Sequence, residues 1–227
     1  MSILTKTKWY WKFDSNSNDS LWTNNGTDTW TPSYATGWKI WNWVTYNGTS
    51  QYTTFPDSAI FKSTACTWAF WVKKISNPWS GVARFVNSTN FTWGIGSWFM
   101  TEISTAWVVS HYTWNWINAT SVNWSTGYTL DTNIHFMCID ISWTTMTTYI
   151  DDMVTPVYTK TGTALWWSGS TNYPMIGANN FGWLWQYSNF LIDEMGIYDN
   201  LTQAERQELA NWLSYPFSTF TPKIIIC

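Results

Sequence analysis

Charge is what this 227-residue chain has least of: 11% of its residues are Asp, Glu, Lys or Arg, against about 25% in ordinary soluble domains. The basic residues are scattered, with Lys73-Lys74 the only adjacent pair. A nucleic-acid partner would need a basic stripe, so that class is excluded. Cysteine is scarce too. Cys66, Cys138 and Cys227 form no disulfide framework, and the first two lie in apolar strand-like runs that suit small buried hydrophobes. No run approaches the ~18 apolar residues of a membrane span, so membrane insertion by a helix is not expected. MSILTKTKWYWKFD enters a strand pattern directly, without the apolar stretch of a secretory signal. The expected setting is extracellular, on a cell surface or in a virion, reached by another route or as a piece of a longer protein. Glycine is also low, 12 residues, for a chain so rich in turn signals.

What fills the space is Thr, Ser and Asn, which suit solvent-facing strand and turn positions, together with a strong alternation. In CTWAFWVKK (66–74), Cys66, Trp68, Phe70 and Val72 share one face, and Thr67, Ala69, Trp71 and Lys73 the other. HFMCIDIS (135–142), TTYIDD (147–152), YPMIGA (173–178) and NFLIDEMGIYD (189–199) read the same way. Turn signals recur about every 8 to 12 residues, the spacing of an all-β sandwich or jelly roll. One helix is predicted, in LTQAERQELANWL, where Thr202 and Glu205 form a T-x-x-E capping box before an apolar stripe.

Several segments, in order, resemble a bacterial LamG-type domain of the concanavalin A-like lectin/glucanase superfamily. They are YWKFDSNSNDS (10–20), VTYNGTSQYTTFPDS (44–58), TWAFWVKK, NIHFMCIDISWTTMTTYIDD (133–152), MIGANN, FLIDEMGIYDN and LTQAERQELAN. The resemblance implies an antiparallel jelly-roll β-sandwich with one short C-terminal helix, spanning 9–213. Residues 1–8 are then a lead-in and 214–227 a tail. It also implies a binding or adhesion module, often with structural calcium. Departures fall at turns: Phe190 stands where glycine is usual, and Asp152 where a DG turn has glycine.

The acids do not supply the pair that glycoside hydrolysis requires, two carboxylates roughly 5 to 9 Å apart. Glu102 is alone in its strand, and Asp193 and Asp199 are about 20 Å apart along theirs. No zinc-ligand pattern surrounds His111 or His135, and G-x-S-x-G is absent. A non-catalytic role is expected. Calcium is the best local cofactor: FDSNSNDS offers Asp14, Asn16, Asn18 and Asp19, and a hydrated Asx-rich turn is the competing reading. Carried over by resemblance, the ligand set is Asp14, Asn47, Gly48 and Asp193. A sugar would need aromatic faces and amide groups; the candidates are Tyr112, Tyr128, Tyr173, Asn179, Asn180 and Tyr187, mostly in predicted loops. The expected partner is a glycan or a surface protein. A structural part of a surface layer or phage virion is the alternative function, and a glycoside hydrolase comes third.

The 22 tryptophans do not fit this composition. Trp11 and Trp71 stand where the family has Trp. Most others stand where turn chemistry asks for glycine, as in TGWKIWNWVTYNG (36–48), NPWSG (77–81) and GANNFGWLWQY (177–187). The pattern is what UGA codons read as glycine by the source would give when translated as tryptophan.

Overall fold

The computed structural model of the chain describes residues 3–21, 24–38, 41–56, 63, 65–76, 83–87, 97–104, 106–115, 120–142, 144–161, 174–181 and 184–212. A short helix α1 (Ile3–Lys6) leads into β1 (Thr7–Trp11), then β2 (Thr27–Thr29), β3 (Ser33–Trp38), β4 (Trp41–Thr45), β5 (Tyr52–Thr54) and β6 (Ala65–Lys74). Next come β7 (Ala83–Asn87), β8 (Ser97–Ile103), β9 (Val108–Asn115), β10 (Thr120–Thr129), β11 (His135–Ser142) and β12 (Thr145–Ile150). The order closes with β13 (Tyr158–Thr161), β14 (Met175–Ile176), β15 (Ala178–Phe181), β16 (Leu184–Tyr187), β17 (Phe190–Tyr198) and α2 (Gln203–Trp212).

The alternation in the sequence builds two antiparallel sheets. One runs β13-β12-β11-β6-β17-β4-β3, with β1 also on β17, and the other runs β10-β9-β8-β7-β14-β5-β2. β15 and β16 form a separate hairpin. This is the antiparallel jelly-roll sandwich with a C-terminal helix. Cys66, Trp68, Phe70 and Val72 of β6 enter the core between the sheets with Met137, Ile139 and Ile141 of β11, and Ile103 and Val109 of the second sheet. Each such large side chain contributes about 1.5–3 kcal/mol on burial. The other face of the same strands is also covered: Ala69, Phe136, Cys138 and Tyr198 pack with Ile3, Leu201 and Leu209. That double burial explains why β6 and β11 carry apolar residues at nearly every position. Both thiols are buried, and burial pushes Cys66 up to about 12 and Cys138 well above its ordinary value. Neither is poised to react.

Helix α2 is fixed as its sequence predicts. Glu205 Oε2 accepts from Thr202 N at 2.8 Å and from Lys6 Nζ at 2.6 Å, while Glu205 N donates to Thr202 Oγ1 at 3.3 Å. Arg206 Nη1 donates to Asp140 Oδ2 at 2.6 Å, and its guanidinium lies 3.9 Å from the centre of the Tyr149 ring. Among the described residues no helix is long and apolar enough to cross a membrane.

Four sequence expectations shift. Strand β1 begins at Thr7 and Ile3 is 1% exposed, so residues 3–8 belong to the sandwich rather than to a lead-in. YPMIGA is not one strand: Gly177 sits at φ +88 and separates β14 from β15. A Cβ there would lie 2.5 Å from the Tyr46 ring, so both the conformation and the space demand glycine. At the DD turn the left-handed residue is Asp151, φ +61, not Asp152. Strand β17 carries a bulge between Asp193 and Gly196, with Glu194 at φ +50, so plain alternation does not hold there. Phe190, where glycine was the family norm, is fully buried in the core. The tail 214–227, and with it Cys227, lies outside the described residues.

Candidate functional site

The NG turn rigidifies one corner of the second sheet. Asn47 Oδ1 accepts from the backbone N–H of Thr49, Ser50 and Gln51 at 3.0, 3.0 and 3.2 Å, an Asx-type cap that explains the choice of Asn. Gln51 Nε2 donates to the carbonyls of Trp30 and Thr31 at 3.1 and 2.8 Å, tying the turn to the end of β2. The chain then enters β5, where Thr53 turns inward and bonds to Asp28 and Tyr46, and Tyr52 and Thr54 are left half-buried. Tyr52 meets Tyr187 from β16, with ring centroids 6.4 Å apart and planes at 34°. Burial, then the neighbouring Tyr52, raises the Tyr187 pKa, so its hydroxyl stays a donor at neutral pH.

The six sugar-site candidates do not meet in one place. Tyr187 and the two asparagines share the β15–β16 hairpin, in which Ala178 pairs with Tyr187, Asn179 with Gln186 and Asn180 with Trp185. The asparagines therefore lie in a strand, not in the loop expected for them. Tyr112 is in β9, four strands from β5 and about 19 Å away at the usual strand spacing. Tyr128 is at the end of β10, edge-on to the His135 ring with centroids 6.4 Å apart. Tyr173 lies outside the described residues. Tyr52 was not a candidate, although the Y-T-T-F alternation after the NG turn was the signal that it faces out while Thr53 and Phe55 face in.

The four cation candidates separate into two pairs. Strand β17 is flanked on one side by β4, paired at Leu191–Thr45 and Ile192–Val44, and further along by β1, paired at Trp11–Met195. The two partners part beside Asp193 and Glu194. Asp14 reaches this seam just after β1 ends, and Asn42 Nδ2 donates to the Asp14 carbonyl. Asp14 Oδ1 and Asp193 Oδ1 are buried with no hydrogen-bond partner, as is Glu194 Oε2. Burial, then the charge of Asp14, pushes Asp193 up to about 8. Burial alone takes Glu194 to about 8, and burial also raises Asp14 against the pull of Lys12. Asn47 and Gly48 are at the other end of β4. Gly48, at φ +72, lies against Asn189, four residues and about 13 Å of strand from Asp193. Their turn belongs to the tyrosine corner, not to the carboxylates. Asp19 is also elsewhere engaged, its Oδ1 accepting from Tyr10 N and Leu21 N. Among the described residues no group of three or more His, Cys, Asp or Glu side chains is arranged to hold a metal. A cation at the seam would have to draw on carbonyl oxygens as well, which calcium accepts.

The histidines are accounted for structurally. His111 is fully buried between Thr101 and Thr148, and His135 bridges Asp131 and Asp151.

The Laminin_G_3 family model, of the concanavalin A-like lectin/glucanases superfamily, matches residues 47–206. No curated protein matches the chain. Among solved structures, the chain is similar to domain 4 of AbnA, a GH43 extracellular arabinanase from Geobacillus stearothermophilus, in complex with arabinotriose. The TM-score is 0.72 at 19% identity, over 90% of this chain and 99% of that one. It is also similar to botulinum neurotoxin type C, whose cell entry depends on two ganglioside molecules, with TM-score 0.69, 12% identity and coverage of 94% of this chain but 52% of that one. The binding domain of Paraclostridial Mosquitocidal Protein 1 gives TM-score 0.69 at 11% identity, over 93% and 53%. These likenesses are of fold. The ordered motifs, the two-sheet topology and the family match together place this chain in the concanavalin A-like lectin/glucanases superfamily, as a Laminin_G_3 domain.

Proposed function

We propose that this chain is a non-catalytic recognition module that binds carbohydrate on the corner formed by β5 and the β15–β16 hairpin. The observation that carries this reading is the Tyr52–Tyr187 pair, two half-buried rings inclined at 34° beside a strand bearing Asn179 and Asn180. Sugar C–H faces stack on such rings, and a firmly capped turn holds Tyr52 in place before any ligand arrives. Two fold relatives support the class of ligand, one in complex with arabinotriose and one dependent on gangliosides.

The carboxylates support a non-catalytic role. Glycoside hydrolysis needs an acid pair on a face that substrate reaches. The most perturbed acids here, Asp193 and Glu194, have oxygens closed to solvent within the β17 ladder. Their fit is to a structural cation. Calcium would relieve Asp14 and Asp193, each of which buries one carboxylate oxygen without a partner and whose charges disfavour each other. The ligand's setting would be a glycan-bearing surface outside the cell or on a virion.

A glycan array with the wild-type chain and the variants Tyr52→Ala and Tyr187→Ala tests the reading. Defined glycan hits should appear, and each variant should weaken them by about fivefold with little change in Tm, since a lost ring contact is worth on the order of 1 kcal/mol. An array with no hits, together with stable oligomers, would favour an assembly role in a surface layer or virion. Hits that survive both substitutions would move the site off this corner.

A further inference from the structure

We propose that positions 30 and 107 are glycine in the protein as its source makes it, each encoded by a UGA codon that the source reads as glycine. The inference is independent of the carbohydrate reading and restricts which aromatics can ever contribute to a site.

Trp30 has φ +56 and is followed by Thr31 at φ +45. Two successive left-handed residues, one bulky and one β-branched, are a rare conformation for L-amino acids with side chains. Packing does not compensate at Trp30, because its side chain is 74% exposed, the most exposed large hydrophobic among the described residues. Only the carbonyls of Trp30 and Thr31 are held, by Gln51 Nε2, and that contact needs no side chain at position 30.

Trp107 has φ +65 and closes the hairpin between β8 and β9. Trp107 N donates to Ser104 O at 2.9 Å, and Ser104 N donates to Val108 O at 3.0 Å. That pair of bonds is the signature of a three-residue hairpin loop whose last residue is left-handed, the position that glycine takes in a G1 bulge. Val108 N also bonds Ser104 Oγ, at 3.2 Å, and Leu130 N bonds Trp107 O, at 2.9 Å. The backbone is therefore fixed from four sides in a conformation that suits glycine.

Left-handed backbone alone does not single out glycine, since Phe13 and Glu194 share it. Phe13 is 1% exposed and held by the core; Trp107 also packs against that core, and what marks it is its place as the last, left-handed residue of a three-residue hairpin loop. Tryptophan differs from phenylalanine and glutamate in chemistry of coding: UGA, a neighbour of its UGG codon, is read as tryptophan in some genetic codes and as glycine in others. The scarcity of glycine and excess of tryptophan, 12 against 22, is the imbalance such a substitution leaves behind.

The direct experiment reads the gene's codons and the mass of the two peptides from source cells. The expected result is UGA at 30 and 107, UGG at the core position 11 and at 71, and peptides lighter by the indole side chain. UGG at either 30 or 107, or a tryptophan mass in either peptide, would overturn the proposal. Trp30→Gly in the chain as written gives a second, physical reading. Relief of the left-handed strain should raise Tm by about 2 °C or more, whereas an unchanged or lower Tm would remove the conformational argument. Trp107→Gly is unsuited to that second test, because the indole at 107 also covers Lys74, with Nζ 4.4 Å from the ring centre.

Discussion

The ring of His135 is held between two carboxylates, Nδ1 lying 2.7 Å from Asp151 Oδ2 and Nε2 3.0 Å from Asp131 Oδ1. Asp151 also accepts from Phe136 N, and the Tyr128 ring stands edge-on beside them. Burial disfavours the imidazolium, yet the hydrogen bond and charge of Asp151, then those of Asp131, outweigh it and leave the pKa raised. A raised folded-state pKa contributes stability that is fully present below the unfolded value, about 6.5, and is lost as pH rises through the folded one. His135→Gln should therefore cost more in Tm at about pH 5.5 than at about pH 9. Equal costs at both would mean that the ring gains no proton affinity on folding. The sequence placed His135 in a strand, with no zinc-ligand pattern around it. It did not name the partners, because Asp131 and Asp151 come together only when β11 and β12 pair and close the open end of their hairpin.

Elements act together at the seam where β1 and β4 leave β17. A single strand cannot satisfy an edge that two partners share unevenly, and the left-handed bulge at Glu194 marks the change. Asp193, with its pKa raised to about 8, is a liability without a cation: its stability contribution is lost as pH rises from the ordinary carboxylate range through that value. Added calcium should raise Tm at neutral pH relative to EDTA. Asp193→Asn should abolish that increment and raise the metal-free Tm, since the amide is neutral without the proton that a buried carboxyl must take up at neutral pH. Coincident melting curves with calcium and EDTA would end the cation reading. Two of the four residues suggested by resemblance, Asp14 and Asp193, do converge here. Asn47 and Gly48 do not, because strand length puts their turn about 13 Å along.

At the scale of the whole molecule, a buried histidine joins the two sheets through their apolar core. His111 on β9 bonds Thr101 Oγ1 on β8 at 3.0 Å and Thr148 Oγ1 on β12, in the opposite sheet, at 2.7 Å. Burial lowers its pKa to about 3, so folding holds the ring neutral. A depressed histidine stabilises above its unfolded value, and that contribution falls by about 1.4 kcal/mol for each pH unit below about 6.5. The deficit in stability of His111→Gln should be largest near pH 7 and shrink toward about pH 5 in urea titrations. A deficit that does not change over that range would contradict a neutral buried ring.

Sequence alone determined the local choices: the alternation that makes β6 and β11, the capping box of α2 and the burial of Cys66 and Cys138. Each follows from a residue and its near neighbours, where backbone geometry leaves few options. The ordered motifs added the sandwich. Tertiary structure alone decided which distant segments share a corner. It joined Tyr52 to Tyr187 across 135 positions of chain, separated Tyr112 and Tyr128 from them, and split the cation candidates between two ends of β4. It also set the backbone of Trp30 and Trp107 in conformations fit for glycine. Pairing between strands far apart in sequence is fixed by packing of the two sheets, and no local pattern encodes it.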